Sequence, residues 1–442
     1  MRGIEAALKV YEEVRGGAFA AESIRKYYQE VSPADRKLTA TLVYCTLRRE
    51  SLWKSILMKF CKRDLRSLAP LTLNAMVLGT AGIVELEHFA LPVLINAIVQ
   101  SIKAQGGADN DVPLVNAVLH TVADESEKYM AKLSKSTVLS DYAMYWGVPG
   151  WVAAQWAKDY SVSDAKKMIR MVGEKTCLSL RLSKGVDREE YLERYNAGID
   201  REGWASPFLD CSVRTSSNPY PLDLPGYGEG QMAPQSESSM YVGKIVAEKA
   251  KGTKLLDMCC GRGVKTGQIA DLREDLTIEA WDLSEPRIRS AEFEMMRMKA
   301  RNRVTLKAGN ALELTPDFEP DAILLDAPCT GSGTWGRHPE GKWRCTPDLV
   351  KETAKIQVQL LEKAVSTVKA GGLIFYSTCS SFREENEKVV AAVMARHPEL
   401  VEIPLDTKKY EFMAKGKPYG VNILPSCPWI DGFYMAVLSK RK

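Results

Sequence analysis

The stretch LLDMCCGRGVKTGQIA (255–270) decides the fold of the C-terminal half of the chain. Its apolar start predicts a buried strand, its glycines predict a tight loop, and its end predicts a helix. Gly261 and Gly263 would let the backbone approach a ligand at a helix N-terminus, although a plain βα turn accounts for them equally well. Asp282 ends the next predicted strand, where a carboxylate can accept hydrogen bonds from the two hydroxyls of a ribose. Together these features predict an adenosine-containing ligand.

The glycine loop departs from the dinucleotide-binding pattern G-x-G-x-x-G. Thr266 stands where the third glycine of that pattern would fall. This departure favours a ligand that has no pyrophosphate. We therefore predict S-adenosyl-L-methionine as the cofactor.

Strand-like and helical stretches alternate through residues 229–442. Such alternation predicts a doubly wound, mostly parallel sheet with helices on both faces, which is a Rossmann-like α/β arrangement. Ligands bind such sheets at the carboxyl ends of the strands. The predicted strands are LLDM (255–258), IEAWD (278–282), RVTLKAG (303–309), AILLDA (322–327), GLIFYST (372–378) and GFYMAVLSK (432–440).

Residues 1–141 are predicted to form an all-α bundle, because apolar residues recur at helical spacing and Gly or Pro separates the runs. Such a bundle is either a packing module or a docking module for RNA or protein. The basic residues Arg36, Lys37, Arg48 and Arg49 favour docking only weakly, since surface charges are usually just solvated. The helical runs are IEAALKVYEEV (4–14), DRKLTATLVYCTLRRESLWKSILMKFC (35–61), LTLNAMVLGTAGIVEL (71–86) and VLINAIVQSIKAQ (93–105).

Residues 142–228 are predicted to form a small mixed α+β unit. Two helical runs come first, and two strand-like runs then flank a helix at DREEYLERYNAG (187–198). The turn-rich segment SSNPYPLDLPGYGEG (216–230) marks the boundary with the third predicted domain, residues 229–442.

The composition is that of a globular protein with two or three domains: 442 residues, 45% hydrophobic and 26% charged. A net charge of +4 only weakly suggests a polyanionic partner. The sequence has no apolar run of about 18 residues and no signal-peptide core at its start, so we expect a cytoplasmic protein without membrane association. Ten cysteines with no CxxC pair predict free thiols, and we expect no metal site.

Two cysteines follow predicted strand ends. AILLDAPCTGSGTWGRHPEGKW (322–343) places Asp326 and Cys329 there, and GGLIFYSTCSSFREENE (371–387) places Cys379 there. A single cysteine after a strand is usually core filler. If the two strands are neighbours, about 4.8 Å apart, both thiols and the carboxyl group converge on one crevice beside the cofactor loop.

Thiols in such a crevice suit one demanding reaction. Carbon 5 of cytosine is a poor nucleophile until a thiolate adds to carbon 6 and breaks the aromaticity of the ring. Carbon 5 can then attack a sulfonium methyl group. A base must afterwards remove the carbon 5 proton, and an acid beside ring nitrogen 3 would stabilise the charge that develops. One nucleophilic cysteine, a second cysteine that assists release and one aspartate fit these roles.

The residues just described resemble those of the RNA 5-methylcytosine methyltransferases of the RsmB/Sun-like type. The strongest parts are DAPCTGSG (326–333), RHPEGKW (337–343), STCSSFREENE (377–387) and LPSCPWIDGFYMA (424–436). Together with VNAVLHTV (115–122) and the helices before it, which resemble a NusB-like bundle, the match spans nearly the whole chain. The resemblance implies a class I methyltransferase domain with a seven-stranded sheet, a NusB-like domain and a middle unit that help hold RNA, and 16S rRNA as the target.

The resemblance also implies the roles of individual residues. Cys379 is the nucleophile, Cys329 assists product release, Asp326 contacts the cytosine, and Lys265 contacts the cofactor or orients the site. The implied cofactor-binding residues are Cys259, Cys260, Gly261, Arg262, Gly263, Val264, Lys265, Asp282, Asn310 and Asp326. The expected partner is RNA, with the protein acting as a monomer.

Three other interpretations stay open. A DNA cytosine methyltransferase would use Cys329 itself as the attacking thiol, and a tRNA cytosine methyltransferase would share the chemistry but not the target. A cofactor-deficient RNA-binding or ribosome-assembly factor is suggested by Arg262, Val264 and Asn310, because the family usually has CAAPGGKT in the loop and an acid at position 310. The two complete cysteine motifs speak against that factor, since pure binding needs neither thiol.

Two further segments could meet RNA. The basic run EFEMMRMKARNRVTLK (292–307) can follow phosphates, although a solvated helix face explains it at least as well. Trp335, Arg337 and His338 follow Cys329 and could stack on a flipped base or contact phosphate, or simply pack on the sheet edge. The six other cysteines are predicted to be packing residues: Cys45, Cys61, Cys177, Cys211, Cys345 and Cys427.

Overall fold

A computed structural model describes residues 2–86, 89–408 and 413–441. They divide into two compact units. The N-terminal unit comprises Met1–Glu174 and Trp335–Arg344, and the C-terminal unit comprises Lys175–Thr334 and Cys345–Lys442. The boundaries expected after residues 141 and 228 stay a prediction, and the two compact units are divided at other positions.

The N-terminal unit is helical, as its apolar periodicity predicts. Its largest buried side chains include Trp53 and Trp156. The helices of residues 2–173 are α1 (Arg2–Arg15), α2 (Ala20–Tyr27), α3 (Pro33–Arg48), α4 (Glu50–Phe60), α5 (Pro70–Glu85), α6 (Leu91–Ala104), α7 (Val112–Ser134), α8 (Leu139–Tyr145), α9 (Gly150–Asp159) and α10 (Val162–Gly173).

One helix start in this unit follows a local sequence signal, and one helix end goes against the predicted pattern. Ser32 caps α3 by accepting the Asp35 backbone N–H at 3.2 Å. The run 35–61, predicted as one helix, breaks at Arg49, whose backbone is not helical. The Arg49 guanidinium donates to the Tyr145 carbonyl at 2.9 Å and to Glu85 at 3.0 Å, so a tertiary contact overrides the helical periodicity.

The basic residues suggested as a docking face are largely engaged inside the unit. Arg36 donates to the Tyr28 carbonyl at 2.7 Å, and Arg48 is deeply enough buried that its pKa is lowered. Lys37 is exposed. These contacts, together with those of Arg49, favour the packing interpretation for three of the four cations.

The N-terminal unit also includes a short segment from far along the chain. Residues 335–344, which contain α15 (Gly341–Arg344), pack within it. Lys342 is fully buried and donates to the Arg48 carbonyl at 2.6 Å, while the Trp343 indole donates to the Leu47 carbonyl at 2.6 Å. The Trp335 ring packs 6.1 Å from that of Trp156. Trp335 is therefore a core residue of the helical unit, which neither interpretation of this segment anticipated.

The C-terminal unit opens with a small antiparallel sheet. Its strand order is β2-β3-β1-β4. The sequence predicted β1, β3 and the helix, and it missed β2 and β4 because each has only three residues. The elements are β1 (Ser179–Leu182), α11 (Arg188–Asn196), β2 (Gly203–Ala205), β3 (Ser212–Thr215) and β4 (Met232–Pro234).

The large sheet begins after β4 and confirms the predicted doubly wound fold. Its order is β11-β12-β13-β9-β8-β5-β6-β7, with β10 paired to β13. The elements are α12 (Glu237–Lys249), β5 (Lys254–Asp257), α13 (Val264–Leu272), β6 (Thr277–Asp282), α14 (Glu285–Arg297), β7 (Val304–Ala308), β8 (Ala322–Asp326), α16 (Pro347–Thr367), β9 (Leu373–Thr378), α17 (Glu387–Arg396), β10 (Leu400–Glu402), β11 (Met413–Lys415), β12 (Val421–Ile423) and β13 (Phe433–Lys440).

The five strands β9, β8, β5, β6 and β7 run parallel to their neighbours, and β13 returns antiparallel to β9. Among the described residues this sheet has nine strands, against seven implied by the resemblance and six found as apolar runs in the sequence. The three strands that the sequence did not show, β10, β11 and β12, have three residues each, too few to show a periodicity.

Both faces of the large sheet are covered, so successive residues of a strand enter different cores. Along β8, Leu324 packs in one hydrophobic cluster with Met240 and Ile269, while Ile323 and Leu325 pack in the other. This alternation explains why the central strands read as continuous apolar runs.

The basic run 292–307 does not form a continuous solvated helix. Helix α14 ends at Arg297, which is buried and donates to Glu294 and to the carbonyls of Tyr227 and Met232. Arg303 donates to the Ala270 carbonyl at 2.9 Å. These two cations stabilise the fold and are not free for phosphate.

Among the helices in the described part of the chain, none is long and apolar enough to cross a membrane.

A pair of identical substitutions tests the core of the helical unit. Val77 on α5 is fully buried, whereas Val93 on α6 is about half exposed. We expect Val77→Ala to lower the free energy of unfolding by about 2 kcal/mol through lost burial and an unfilled cavity. Val93→Ala should change it by less than about 0.5 kcal/mol. Urea unfolding followed by circular dichroism measures both, and equal losses would contradict the assigned core.

Candidate active site

The register of two parallel strands brings the predicted catalytic residues together. Asp326 at the end of β8 lies opposite Ser377 near the end of β9. The loops that follow carry Cys329 and Cys379, whose sulfur atoms lie 3.3 Å apart. The two thiols and the carboxyl group therefore converge as predicted. The hydrogen bond with Cys379, together with burial, raises the pKa of Cys329 well above its usual range.

An ion pair lies beside the thiols. Lys265 Nζ is 2.6 Å from Asp326 Oδ2, and the Ser377 hydroxyl donates to Asp326 Oδ1 at 2.7 Å. Burial alone would lower the pKa of Lys265, but the Asp326 carboxylate outweighs burial and raises it. Lys265 therefore stays protonated, and its ammonium group lies 4.9 Å from the Phe433 ring centroid.

The glycine loop wraps the carboxyl end of β5 before α13 begins. Gly261 and Gly263 have φ of 58° and 79°, the left-handed region that glycine adopts without strain. The loop is held by the Cys260 N–H, which donates to the Trp281 carbonyl at 2.7 Å. A cavity of about 200 Å³ opens here, lined by Asp257, Asp326 and, from the loop, Cys259 to Arg262 with Val264 and Lys265.

Asp282 lies against the same loop. One carboxylate oxygen accepts the Gly261 N–H at 3.0 Å, and the other accepts the Ser284 N–H at 2.9 Å. Arg287 lies 3.8 Å from it. Asn310 is tied to its own turn, since its amide oxygen accepts the Leu312 N–H and its NH2 group donates to Glu313. Neither Asp282 nor Asn310 lines the cavity itself.

These residues fit an adenosine-bearing cofactor. A Cβ atom at Gly261 would meet nothing within 4 Å, so the loop leaves open space on its outer side. The Asp282 carboxylate has lone pairs beyond the two used by backbone N–H groups, which is what ribose hydroxyls require. The N-terminus of α13 supplies unpaired N–H groups that favour an anionic end of the ligand.

Asp257, at the floor of the cavity, is a residue that the sequence reasoning missed. It is fully buried, accepts the Thr266 hydroxyl at 2.7 Å and accepts the Cys259 N–H at 3.3 Å. Burial raises the pKa of Asp257 to about 7, and the neighbouring Asp326 carboxylate adds to the shift while Thr266 opposes it. Its position at the end of an apolar strand is the same signal that identified Asp282 and Asp326.

Glu385 is a second missed residue. It lies in the predicted motif STCSSFREENE, but sequence reasoning gave it no role. The structure buries its carboxylate completely, and Thr330 and Ser380 both donate to it. Each donor directly follows one of the two cysteines.

All ten cysteines are free thiols. Of the six predicted as packing residues, Cys45, Cys61 and Cys345 are buried, whereas Cys177, Cys211 and Cys427 are partly exposed. Among the described residues, no group of three or more His, Cys, Asp and Glu side chains is arranged to hold a metal ion.

Comparison with known families agrees with this geometry. A family-wide sequence model described as 16S rRNA methyltransferase RsmB/F matches residues 244–439, and one described as the NusB family matches residues 4–124. A match to the NusB family is thus followed, in the same chain, by a match to the RsmB/F methyltransferases. The resemblance drawn from the cysteine motifs is thereby confirmed.

One curated relative and one solved structure match nearly the whole chain, and a second structure matches two thirds of it. The "Probable ribosomal RNA small subunit methyltransferase B" of Bacillus subtilis is 26% identical over 456 residues, which cover 99% of this chain and 98% of that protein. The crystal structure of PH0851 superposes with a TM-score of 0.80 at 22% identity, covering 99% of this chain and 98% of that one. NSun6 from Pyrococcus horikoshii, solved with SFG, has a TM-score of 0.59 at 19% identity, covering 66% of this chain and 98% of that one. At these identities the two structures support the fold alone.

The raised pKa of Asp257 predicts how stability changes with pH. The folded protein keeps this proton up to about pH 7, whereas an unfolded aspartate releases it near pH 4, so its stabilising effect is full below about pH 4 and is lost as pH rises through about 7. We expect Asp257→Asn to gain thermal stability relative to the wild type as pH rises from 5 to 8, measured by calorimetry.

The matched control for this measurement is Asp275→Asn. Arg273 lowers the pKa of Asp275 to about 2, so that carboxyl group is fully ionised across the same range in both folded and unfolded states. Its substitution should shift the melting temperature by the same amount at every pH from 5 to 8. A constant offset for Asp257→Asn as well would contradict the raised pKa.

Proposed function

We propose that this protein is an S-adenosyl-L-methionine-dependent RNA cytosine carbon-5 methyltransferase that acts on 16S rRNA through a covalent adduct. The observation that supports this most is the 3.3 Å separation of the Cys329 and Cys379 sulfur atoms beside Asp326, at the edge of the sheet that carries the glycine loop. A binding module would need neither thiol in such an arrangement.

Cys379 is the nucleophile in this proposal. Its thiolate adds to carbon 6 of cytosine, and the electron pair displaced from the carbon 5–carbon 6 bond makes carbon 5 nucleophilic.

Asp326 and Lys265 act together on the cytosine ring. Negative charge develops at ring nitrogen 3 during the addition, and a proton donor there lowers its energy. The Lys265 ammonium, whose Nζ lies 2.6 Å from Asp326 Oδ2, has N–H donors beyond the one that faces the carboxylate, so it can supply that hydrogen bond. Ser377 holds the carboxylate in place from its other oxygen.

Cys329 assists release of the product. After methylation the carbon 5 proton leaves to a base, the electrons re-form the carbon 5–carbon 6 double bond, and the bond to the Cys379 sulfur breaks. The Cys329 sulfur lies in contact with the sulfur that departs, which suits a role in this step.

The cofactor binds at the cavity of the glycine loop. When bound, S-adenosyl-L-methionine supplies an electrophilic methyl group. Asp282 is placed for the ribose, the loop Cys259–Lys265 surrounds the cofactor, and Asn310 retains a side chain able to hydrogen-bond an adenine amino group. Arg262 and Val264 replace the usual Pro and Gly of the loop without closing the cavity.

The RNA target is inferred from the relatives. The Bacillus subtilis relative is named as a small-subunit ribosomal RNA methyltransferase, and it matches over nearly the full length of both chains. We therefore infer 16S rRNA rather than tRNA as the substrate, with the NusB-family domain contributing to RNA binding.

Trapping the adduct tests the chemistry. With 16S rRNA and cofactor, Cys329→Ala should accumulate a covalent protein–RNA complex on a denaturing gel, because release is impaired. Cys379→Ala should form no complex and lose methyl transfer by roughly 10³-fold or more. Cys45→Ala, which removes a buried thiol on α3 of the helical unit, is the matched control and should resemble the wild type.

The outcomes separate the alternatives. Full turnover by Cys379→Ala together with no trapped complex in Cys329→Ala would refute the mechanism. A complex that requires Cys329 and forms on DNA would identify a DNA methyltransferase instead. Absence of cofactor binding by calorimetry would favour the assembly factor, and bisulfite sequencing of rRNA and tRNA, with and without the protein, identifies the target.

A further inference from the structure

Glu385 is a buried acid that lies behind the reacting thiols and has no part in the proposed chemistry. Its side chain is fully shielded from solvent. One carboxylate oxygen accepts the Thr330 N–H at 2.8 Å and the Gln357 NH2 group at 3.2 Å. The other accepts the hydroxyls of Thr330 and Ser380. A buried carboxylate with four donors is held in one position.

The donors belong to both cysteine loops. Thr330 is the residue after Cys329, and Ser380 is the residue after Cys379. A single side chain therefore joins the two loops at points one residue beyond each sulfur. Gln357 on α16 extends the connection, because its NH2 group also donates to the Pro328 carbonyl at 2.8 Å.

Neutral contacts also connect the loops. The Gly333 N–H donates to the Cys379 carbonyl at 2.9 Å, and the Ser381 N–H donates to the Ser332 hydroxyl at 2.7 Å. These bonds can hold the backbones together without any charge. The carboxylate of Glu385 adds something that they do not supply, a fixed negative charge within the thiol environment.

That charge acts on Cys329. The hydrogen bond with Cys379 and burial are the larger causes of the raised pKa of Cys329, and the charge of Glu385 raises it further. Burial raises the pKa of Glu385 itself, while its hydrogen bonds with Ser380 and Thr330 oppose that shift. A negative charge beside the Cys329 loop therefore favours the protonated form of that thiol.

We propose that Glu385 is a positioning residue that fixes the two cysteine loops against each other and supplies a negative charge beside the Cys329 loop. This inference rests on the proposed function. A purely structural role would require only that the acid fill its site, whereas the proposed role requires both its hydrogen bonds and its charge.

Two substitutions separate these contributions. In Glu385→Gln the amide oxygen can still accept from Thr330 and Gln357, and the NH2 group can donate to the two hydroxyls once they rotate, so the connection survives and the charge is lost. Glu385→Ala removes both. The matched control is Glu387→Gln, because Glu387 is also buried at the start of α17 but pairs with Asn422 and Arg383 and not with Thr330 or Ser380, the residues that follow the two cysteines.

Methyl transfer to 16S rRNA gives the first measurement. We expect Glu385→Ala to lower kcat by roughly 100-fold, as a small misplacement of reacting groups does, with KM for RNA unchanged because Glu385 touches no substrate. Glu385→Gln should keep part of the activity that Glu385→Ala loses. Thermal melts show which variants are folded. If Glu385→Ala does not fold, Glu385→Gln alone tests the proposed role of Glu385.

The pH dependence of thiol alkylation gives the second measurement and needs no turnover. Iodoacetamide labelling of Cys329, quantified by mass spectrometry of its peptide, should shift to lower pH in Glu385→Gln, and Glu387→Gln should match the wild type. Each of three results would overturn the proposal. The folded Glu385 variants could keep the wild-type kcat, the pH profile of Cys329 alkylation could stay unshifted, or Glu387→Gln could have the same effects as the Glu385 variants. If the wild type fails to methylate cytosine, the proposed function fails, and the alkylation profile still decides the role of Glu385.

Discussion

The parallel hydrogen-bonded ladder between β8 and β9 is the constraint on which the candidate active site depends. Because parallel strands end on the same side of a sheet, the pairing of Asp326 with Ser377 fixes where both following loops begin. Residues 50 positions apart in the chain then need only a few residues of loop to bring two sulfur atoms into contact. A slip of one residue in this register would turn every side chain of the strand to the opposite face and separate the thiols from the carboxylate.

Buried charge at this edge is tolerated because each charge has a partner. Lys265 lies with Asp326, and Glu385 lies with four donors, so neither carries the full cost of desolvation. Among the described residues Asp257 accepts from Thr266 and Cys259, and burial raises its pKa so that its proton is retained up to about pH 7. The ends of the neighbouring strands β5 and β8 therefore carry one acid that retains its proton and one that is ion-paired with Lys265.

Much of this could be predicted from the sequence, for identifiable reasons. The central strands are apolar runs ending in polar residues, and the cysteines follow two of them, so convergence of Cys329 and Cys379 followed from the rules of parallel sheets. The three-residue strands carry too little periodicity to be seen. Glu385 and Ser380 could not be assigned because their importance comes from contacts across chain-distant loops. The surroundings of Trp335 were predicted wrongly for the same reason, since its partner Trp156 lies almost 180 residues away, in α9.

The inclusion of residues 335–344 in the helical unit has a consequence for how this gene product can be divided. The polypeptide passes from the catalytic unit into the helical one and back within ten residues, shortly after Cys329. A fragment beginning at residue 175 would carry those ten residues without their surroundings, leaving the Lys342 ammonium without the Arg48 carbonyl and the Trp335 indole without Trp156. The two units therefore cannot be exchanged independently. Recombination or domain transplantation at residue 175 would separate residues 335–344 from the rest of the helical unit and divide its hydrophobic core.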